Sequence, residues 1–267
     1  MLKSIFVISL AALGLIIVTN ANSTAQESLL TASENLYIVD VDDNGFIYLL
    51  NKSEKKLVKF NTETKGISLE EDINVNSYLY KYFRLPSNNG KIQTIGFVND
   101  LGTEVHRDSL PAIELENYQF LNYKNDTLLL SKVEYVDENP LVFLYDMNTQ
   151  HFTSLNLRGR EGYLLDKNKL AIIKYTSNGS ELSIYDLTTK SIINTSSLPS
   201  YCRSILGYYD NKVFISLTDK IISFDLSNSN QTTIFSGVHG SSYLDDSNTL
   251  YVFERIDKKY DLKKVNF

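Results

Sequence analysis

Cys202 is the only cysteine in 267 residues, so no internal disulfide forms and no lipid-accepting cysteine follows the N-terminus. Two readings of Cys202 stay open: a small buried hydrophobe, or a reactive thiol that pairs with another chain. Concentrated basic charge is missing as well. The 26 Lys and Arg are outnumbered by 32 Asp and Glu and scattered among them, whereas nucleic-acid binding needs a cationic face. The three histidines, His106, His151 and His239, have no partner at metal-ligand spacing. No G-x-S-x-G elbow, phosphate loop or H-E-x-x-H occurs. The longest apolar run, Ile5 to Val18, is short for a membrane span, which needs ~20 residues.

That run follows Lys3 and precedes the small residues Ser23 and Ala25, which is the layout of an export signal over residues 1-25. Cleavage before Gln26 leaves a single domain over 26-267, periplasmic or secreted. An uncleaved leader would instead tether the chain to a membrane. Removing Lys3 takes the formal charge from -6 to about -7, with no block of one sign.

What the chain does have is a recurring turn. Asn44-Gly45, Asn89-Gly90, Asn125-Asp126, Lys167-Asn168, Asp210-Asn211 and Ser247-Asn248 each stand between apolar, β-branched or aromatic runs. Their mean spacing of about 41 residues is that of propeller blades with four strands, and about 242 mature residues hold close to six such blades. The Asn-Gly pairs fit type I′ turns, because Gly and Asn best tolerate positive φ. After most of the turns comes a nearly continuous apolar run, as in Leu128 to Leu130, Leu170 to Ile173 and Leu250 to Phe253. Such runs suit strands covered on both faces.

A second signal shares the period. An aromatic followed by Asp or Asn marks the third strands at Phe60-Asn61, Tyr145-Asp146, Tyr185-Asp186 and Phe224-Asp225, with turn-forming residues close behind. The second repeat lacks the pair between Gly102 and Asp108. One further step of ~43 residues from Phe224 lands on Phe267, so the sixth repeat ends after three strands. An open edge exposes unpaired backbone groups, and Glu27 to Ala32 is placed to cover it. The expectation is an all-β fold: a six-bladed β-propeller of four-stranded antiparallel blades, its ring closed by an N-terminal strand completing the last blade.

Asp42-Asp43-Asn44-Gly45-Phe46-Ile47-Tyr48-Leu49, with Asn51 to Phe60 behind it, resembles the NHL-type and TolB-like six-bladed propeller repeat of exported bacterial proteins. The resemblance covers one blade. It implies the fold and an exported compartment, and no single activity. The absence of tryptophan removes other propeller signatures: the WD dipeptide, the sialidase box, quinoprotein docking motifs and the gluconolactonase-like opening.

Asp40-Val41-Asp42-Asp43-Asn44-Gly45 matches the first half of a calcium loop, but Asn51 stands where its closing Glu belongs. Asp40, Asp42 and Asn44 are a weak calcium candidate against an ordinary acidic turn. Tyrosine, with 18 residues, either packs between blades or stacks on a ligand. Loops from each outer strand to the next inner strand converge on the axis, and the repeat places there Glu71, Asp72, Glu114, Glu116, Arg158, Arg160, Glu161, Tyr201, Arg203 and His239. Three of the six arginines fall in two consecutive loops, and a guanidinium fork suits carboxylate or phosphate groups. The candidate site is an anion-accepting funnel of Arg158, Arg160 and Arg203, with Tyr201 and His239 at its rim. The opposing reading is that these arginines pair with neighbours such as Glu161 on a solvated surface.

The functional expectation is an exported, non-catalytic propeller that binds an envelope or extracellular protein, a peptide or a small ligand at its axis. It implies no cofactor, no nucleic acid, and membrane contact only through an uncleaved leader. The alternative is a propeller hydrolase or lactonase using a divalent metal in the same funnel.

Overall fold

The structure is a computed structural model that describes residues 25–32, 36–42, 44–73, 79, 81–85, 94–98, 101–106, 111–133 and 138–267. Residues 1–24, which hold nearly all of the expected export signal, Asp43 and the Asn89-Gly90 pair lie outside the described residues. Among the described residues no helix is long and apolar enough to cross a membrane.

The chain opens with β1 (Ala25–Ala32), followed by β2 (Tyr37–Val41), β3 (Phe46–Asn51), β4 (Lys56–Asn61) and β5 (Gly66–Asp72). Next come β6 (Lys81–Leu85), β7 (Thr94–Val98), β8 (Gly102–His106) and β9 (Ile113–Glu116), then β10 (Tyr118–Lys124), β11 (Thr127–Lys132), β12 (Leu141–Asp146) and β13 (His151–Arg158). The second half holds β14 (Glu161–Leu164), β15 (Lys169–Thr176), β16 (Gly179–Asp186), β17 (Ser191–Leu198), β18 (Cys202–Tyr209), β19 (Lys212–Leu217), β20 (Lys220–Asp225) and β21 (Gln231–Ser236). It ends with β22 (His239–Leu244), β23 (Leu250–Ile256) and β24 (Lys259–Asn266).

Among the described residues these strands form six four-stranded sheets, five of them consecutive in sequence from β2 to β21. The remaining sheet has the order β1-β24-β23-β22, with β1 antiparallel to β24 from Ala25↔Asn266 to Ala32↔Tyr260. The inner strands lie side by side around an axis: β2 against β6, β10 against β14, β14 against β18, β18 against β22, and β22 against β2. Between β6 and β10 the rings of Phe83 and Phe120 stack at 3.7 Å. The architecture is an all-β propeller with four-stranded antiparallel blades.

Its core is a set of seams between neighbouring sheets. The second strands supply most of each seam, and Leu128, Leu129 and Leu130 of β11 are all 0% exposed. This continuous burial is what the unbroken apolar runs require, because both faces of β11 meet a neighbour. One seam joins Ile47 and Phe60 to Leu29, Phe253 and Leu262. Another joins Ile173 and Leu182 to Val213 and Ile215.

The aromatic-acid pairs divide their labour. Phe60, Tyr145, Tyr185 and Phe224 are buried in the seams, while the following Asp or Asn caps the turn to the outer strand. Asp146 Oδ1 accepts the N–H groups of Asn148 at 2.9 Å and Thr149 at 2.8 Å. Asp186 does the same for Thr188 at 2.7 Å and Thr189 at 2.9 Å. Such bonds favour the ionised carboxylate, and they hold Asp146 and Asp186 below the usual carboxylate range, chiefly through Thr149 and Thr189.

The hairpins between inner and second strands correct one expectation. Both residues of Asn125-Asp126 and of Asp210-Asn211 have positive φ, as a type I′ turn demands. In Asn44-Gly45 only Gly45 is positive, at φ 74°, and the loop is one residue longer, closed by Gly45 N–H to Asp42 O at 3.0 Å. The cause is Asp42, whose Oδ1 accepts the N–H groups of Asn44 and Phe46, both at 3.0 Å. Asp245 repeats this arrangement before Asn248 with Ser247 and Thr249.

Seam packing predicts a sharp contrast within one residue type. Phe224→Ala is expected to lower unfolding free energy by about 3–5 kcal/mol, whereas Phe267→Ala, at a 45% exposed terminal residue, changes it little. Urea melts measure both, and equal losses would contradict a core concentrated in the seams.

Candidate functional site

The inner strands start at one end of the axis. Ile38 N–H donates to Ser241 Oγ at 3.0 Å and Tyr243 OH donates to Asp40 at 3.1 Å, so β2 and β22 run in the same direction. The β3–β4 turn reaches this same end, because Tyr37 pairs with Leu50. The inward faces of the inner strands enclose a cavity of about 1240 Å³ lined by residues from β2, β6, β10, β14, β18 and β22. The lining is mixed: Asp40, Arg84, Asn122 and Tyr243 stand beside apolar residues such as Ile38, Leu121 and Ile205.

Two lysines stand at the mouth. Lys52, in the β3–β4 turn, holds its ammonium 3.8 Å from the centre of the Tyr37 ring, and Lys81, the first residue of β6, lies 4.8 Å from that of Phe120. Both line the cavity. Burial lowers the pKa of each, and for Lys52 the charge of Lys81 lowers it further. Lys81 touches the channel solvent although protein surrounds it, so water screens part of that cost. Glu161, the first residue of β14, is the anionic counterpart. Burial pushes its carboxyl from 4.5 up to about 7, against the opposing pull of Lys81 and Arg160.

Deeper along the axis the polar groups satisfy one another. Arg84 donates to Asp40 at 3.2 Å and lies 3.9 Å over the Tyr48 ring, while Tyr243 bonds the other oxygen of Asp40. Burial still raises the pKa of Asp40 despite Arg84 and Tyr243.

The expected funnel residues separate. Arg203 lines the cavity, and its guanidinium donates to the His239 carbonyl. Tyr201 is 48% exposed and edge-on to Tyr175 at 5.5 Å, and it does not line the cavity. Arg160 is exposed and acts electrostatically on Glu161 and Tyr175. Arg158 turns to the Asn139 carbonyl at 3.3 Å, in the β11–β12 connection, and does not line the cavity. His239 is not at the rim but 2% exposed. Its Nδ1 faces the Gly237 carbonyl at 3.0 Å and its Nε2 faces Ser216 Oγ at 2.8 Å. A carbonyl only accepts, so Nδ1 carries the proton and Nε2 accepts from Ser216. Burial lowers its pKa, opposed by the bond to Gly237. The β22 strand begins at His239, and the apolar seam beneath it draws the ring inward against Phe235. Glu71 and Asp72 close the outer strand β5, and Glu114 and Glu116 belong to the outer strand β9, so all four stand in strands rather than in the loops that follow them.

The calcium candidate does not gather either. The carboxylate of Asp40 faces the axis, whereas Asp42 spends its oxygens on the backbone of its own turn and on Tyr48 OH at 3.2 Å, with Lys59 at 3.8 Å. These donors occupy the lone pairs that a cation would need. Among the described residues no group of three or more His, Cys, Asp or Glu side chains could hold a metal ion. Cys202 is 1% exposed, and burial raises its thiol well above its ordinary value, which leaves an unreactive core residue.

No family model matches the chain, and no curated protein matches it. Solved structures do. Over 94% of its length it is similar to 94% of a chain in the crystal structure of a mitotic checkpoint complex, with a TM-score of 0.58 and 12% identity. Over 92% of its length it is similar to 97% of the Neurospora crassa Pan2 WD40 domain, with a TM-score of 0.55 and 9% identity. At such identities the likeness is one of fold.

Glu161 and His239 give opposite pH dependences. A carboxyl raised from 4.5 to about 7 contributes stability that is present below 4.5 and lost as pH rises through about 7. A histidine depressed from 6.5 contributes stability present above 6.5 and lost as pH falls through its folded value. Glu161→Gln is therefore expected to melt a few degrees above wild type at about pH 8, with the gap closing near pH 4.5. His239→Gln should flatten the fall below about pH 6.5. Melting curves across pH test both, and a Glu161→Gln variant no more stable than wild type at the alkaline end contradicts the burial cost.

Proposed function

We propose that this chain is an exported binding module, a ring of six blades that grips a protein, peptide or small anionic ligand at the mouth of its axis and performs no chemistry of its own. The observation that carries this reading is the axial cavity of about 1240 Å³ with the cationic groups of Lys52, Lys81 and Arg203 at one end. Its volume exceeds what a typical small-molecule pocket needs, ~300–1000 Å³, so a side chain or terminus of a partner also fits. The likeness to a WD40 domain agrees with a protein-interaction role. Export is supported by the leader-like residues 1-25, and by the resemblance of Asp42 to Phe60 to the NHL-type and TolB-like repeat.

Ring closure belongs to the same proposal. The pairing of β1 with β24 and the burial of Leu29, 6% exposed, support β1 as the strand that completes the last blade. Export processing must then spare residues 26–32. Deleting them is expected to cost about 3–5 kcal/mol, or about 10 °C in melting temperature; an unchanged melt would overturn the closure.

Binding at the mouth is tested by capture from envelope extract. A partner held there should bind at least about tenfold more weakly, a loss of 1.4 kcal/mol, to Lys81→Glu. It should bind normally to Lys167→Glu on the opposite end of the axis. Equal capture by both variants places binding elsewhere.

A further inference from the structure

We infer that the mouth of the axis is a site for a compact dianion held between the ammonium groups of Lys52 and Lys81, and that filling this site protonates Glu161. The inference rests on the reading of the mouth as a binding site and names its ligand class.

The two ammonium groups arrive from different sheets and open into one cavity. Aromatic faces hold them: Tyr37 at 3.8 Å from Lys52 and Phe120 at 4.8 Å from Lys81. A ring fixes a cation without neutralising it. Among the described residues neither lysine is in a salt bridge, unlike Arg84 with Asp40 or Lys263 with Glu254. Two positive charges that repel each other in a partly desolvated mouth are stabilised together by one doubly charged ligand, more than by two single ones that repel in turn. Arg203, on the same cavity wall, is already committed to the His239 carbonyl.

Glu161 makes the site respond to protons. Lys81, held over the Phe120 ring of β10, and Glu161, the first residue of β14, attract each other. The other charged or titratable groups that act with Glu161 are Arg160 from its own loop, Tyr175 from β15 and Cys202 from β18. An anion beside Lys81 takes over its charge and repels the Glu161 carboxylate, so the carboxyl gains a proton from solvent. Linkage then requires the converse: affinity rises as pH falls through about 7, where Glu161 titrates. At high pH the two lysines, whose pKa values are lowered, lose charge and weaken the site further.

The test is calorimetric titration of the full mature chain with sulfate, which keeps its charge across the range, against chloride at matched ionic strength. Buffers of different ionisation heat report proton uptake. The expected result is saturable sulfate binding, about tenfold tighter near pH 6 than near pH 8, with about half a proton taken up near neutrality. Lys52→Ala and Lys81→Ala should each lose at least about tenfold. Glu161→Gln should bind sulfate with no proton uptake and a flattened pH profile, and it retains the shape of the site. Sulfate binding without uptake, or an unaltered pH profile in Glu161→Gln, overturns the coupling. Sulfate no tighter than chloride overturns the dianion site, and partner capture that still depends on Lys81 would then leave the broader reading of the mouth standing. Loss of both dependences removes that reading too.

Discussion

Face-to-face packing of neighbouring sheets is the constraint on which the rest of the molecule depends. A single four-stranded sheet of this size has no core of its own, and it becomes stable only when both faces of its second strand are covered. That is why Leu128 to Leu130 and Val213 to Ile215 are apolar without alternation. Glycines mark where the contact is closest. A Cβ on Gly162 would stand 2.6 Å from Leu129 of the neighbouring sheet, and one on Gly207 would stand 2.7 Å from Leu244.

Once the seams are packed, the geometry of the axis follows. The inner strands are held at a spacing set by the seams, which leaves a cavity that no side chain spans. Charged residues there meet a mixed environment of channel water and surrounding protein. Asp40 and Arg84 offset part of the cost by pairing, with Tyr48 and Tyr243 as supports, and burial still holds the Asp40 carboxyl above its ordinary value. Lys52, Lys81 and Glu161 resolve it incompletely, and their titration is displaced accordingly. Incompletely balanced charge of this kind is common where proteins bind ligands, and here it lies at the end of the axis where the inner strands begin.

Much of the scaffold was legible in the sequence because it is local. The acid after each buried aromatic sets a turn within its own hairpin, as Asp186 does with Thr188 and Thr189, and such contacts leave a period in the chain. The site was less legible because it is assembled from one residue per sheet. Arg158, Arg203 and His239 stand in strands at or next to the ends that flank the expected loops, and their side chains take different directions: Arg158 to Asn139, Arg203 along the cavity wall, His239 into the seam with Ser216. Lys52 and Lys81 gave no signal at all. Nothing in a lysine after Asn51, or in one near the weakly marked second repeat, says that two ring faces will hold them at a common mouth.

The sequence by itself determined the repeat, the antiparallel hairpins and the strands that must be buried on both faces, since these follow from side-chain period, turn chemistry and capping over a few residues. It also determined that no local catalytic motif is present. Only the tertiary structure decided which inward-facing groups share the axis and how their charges balance. The physical reason is distance along the chain: Lys52, Lys81 and Glu161 meet electrostatically only after the sheets have packed around a common centre, and Coulomb energy depends on where the ring places them, not on their order in the chain.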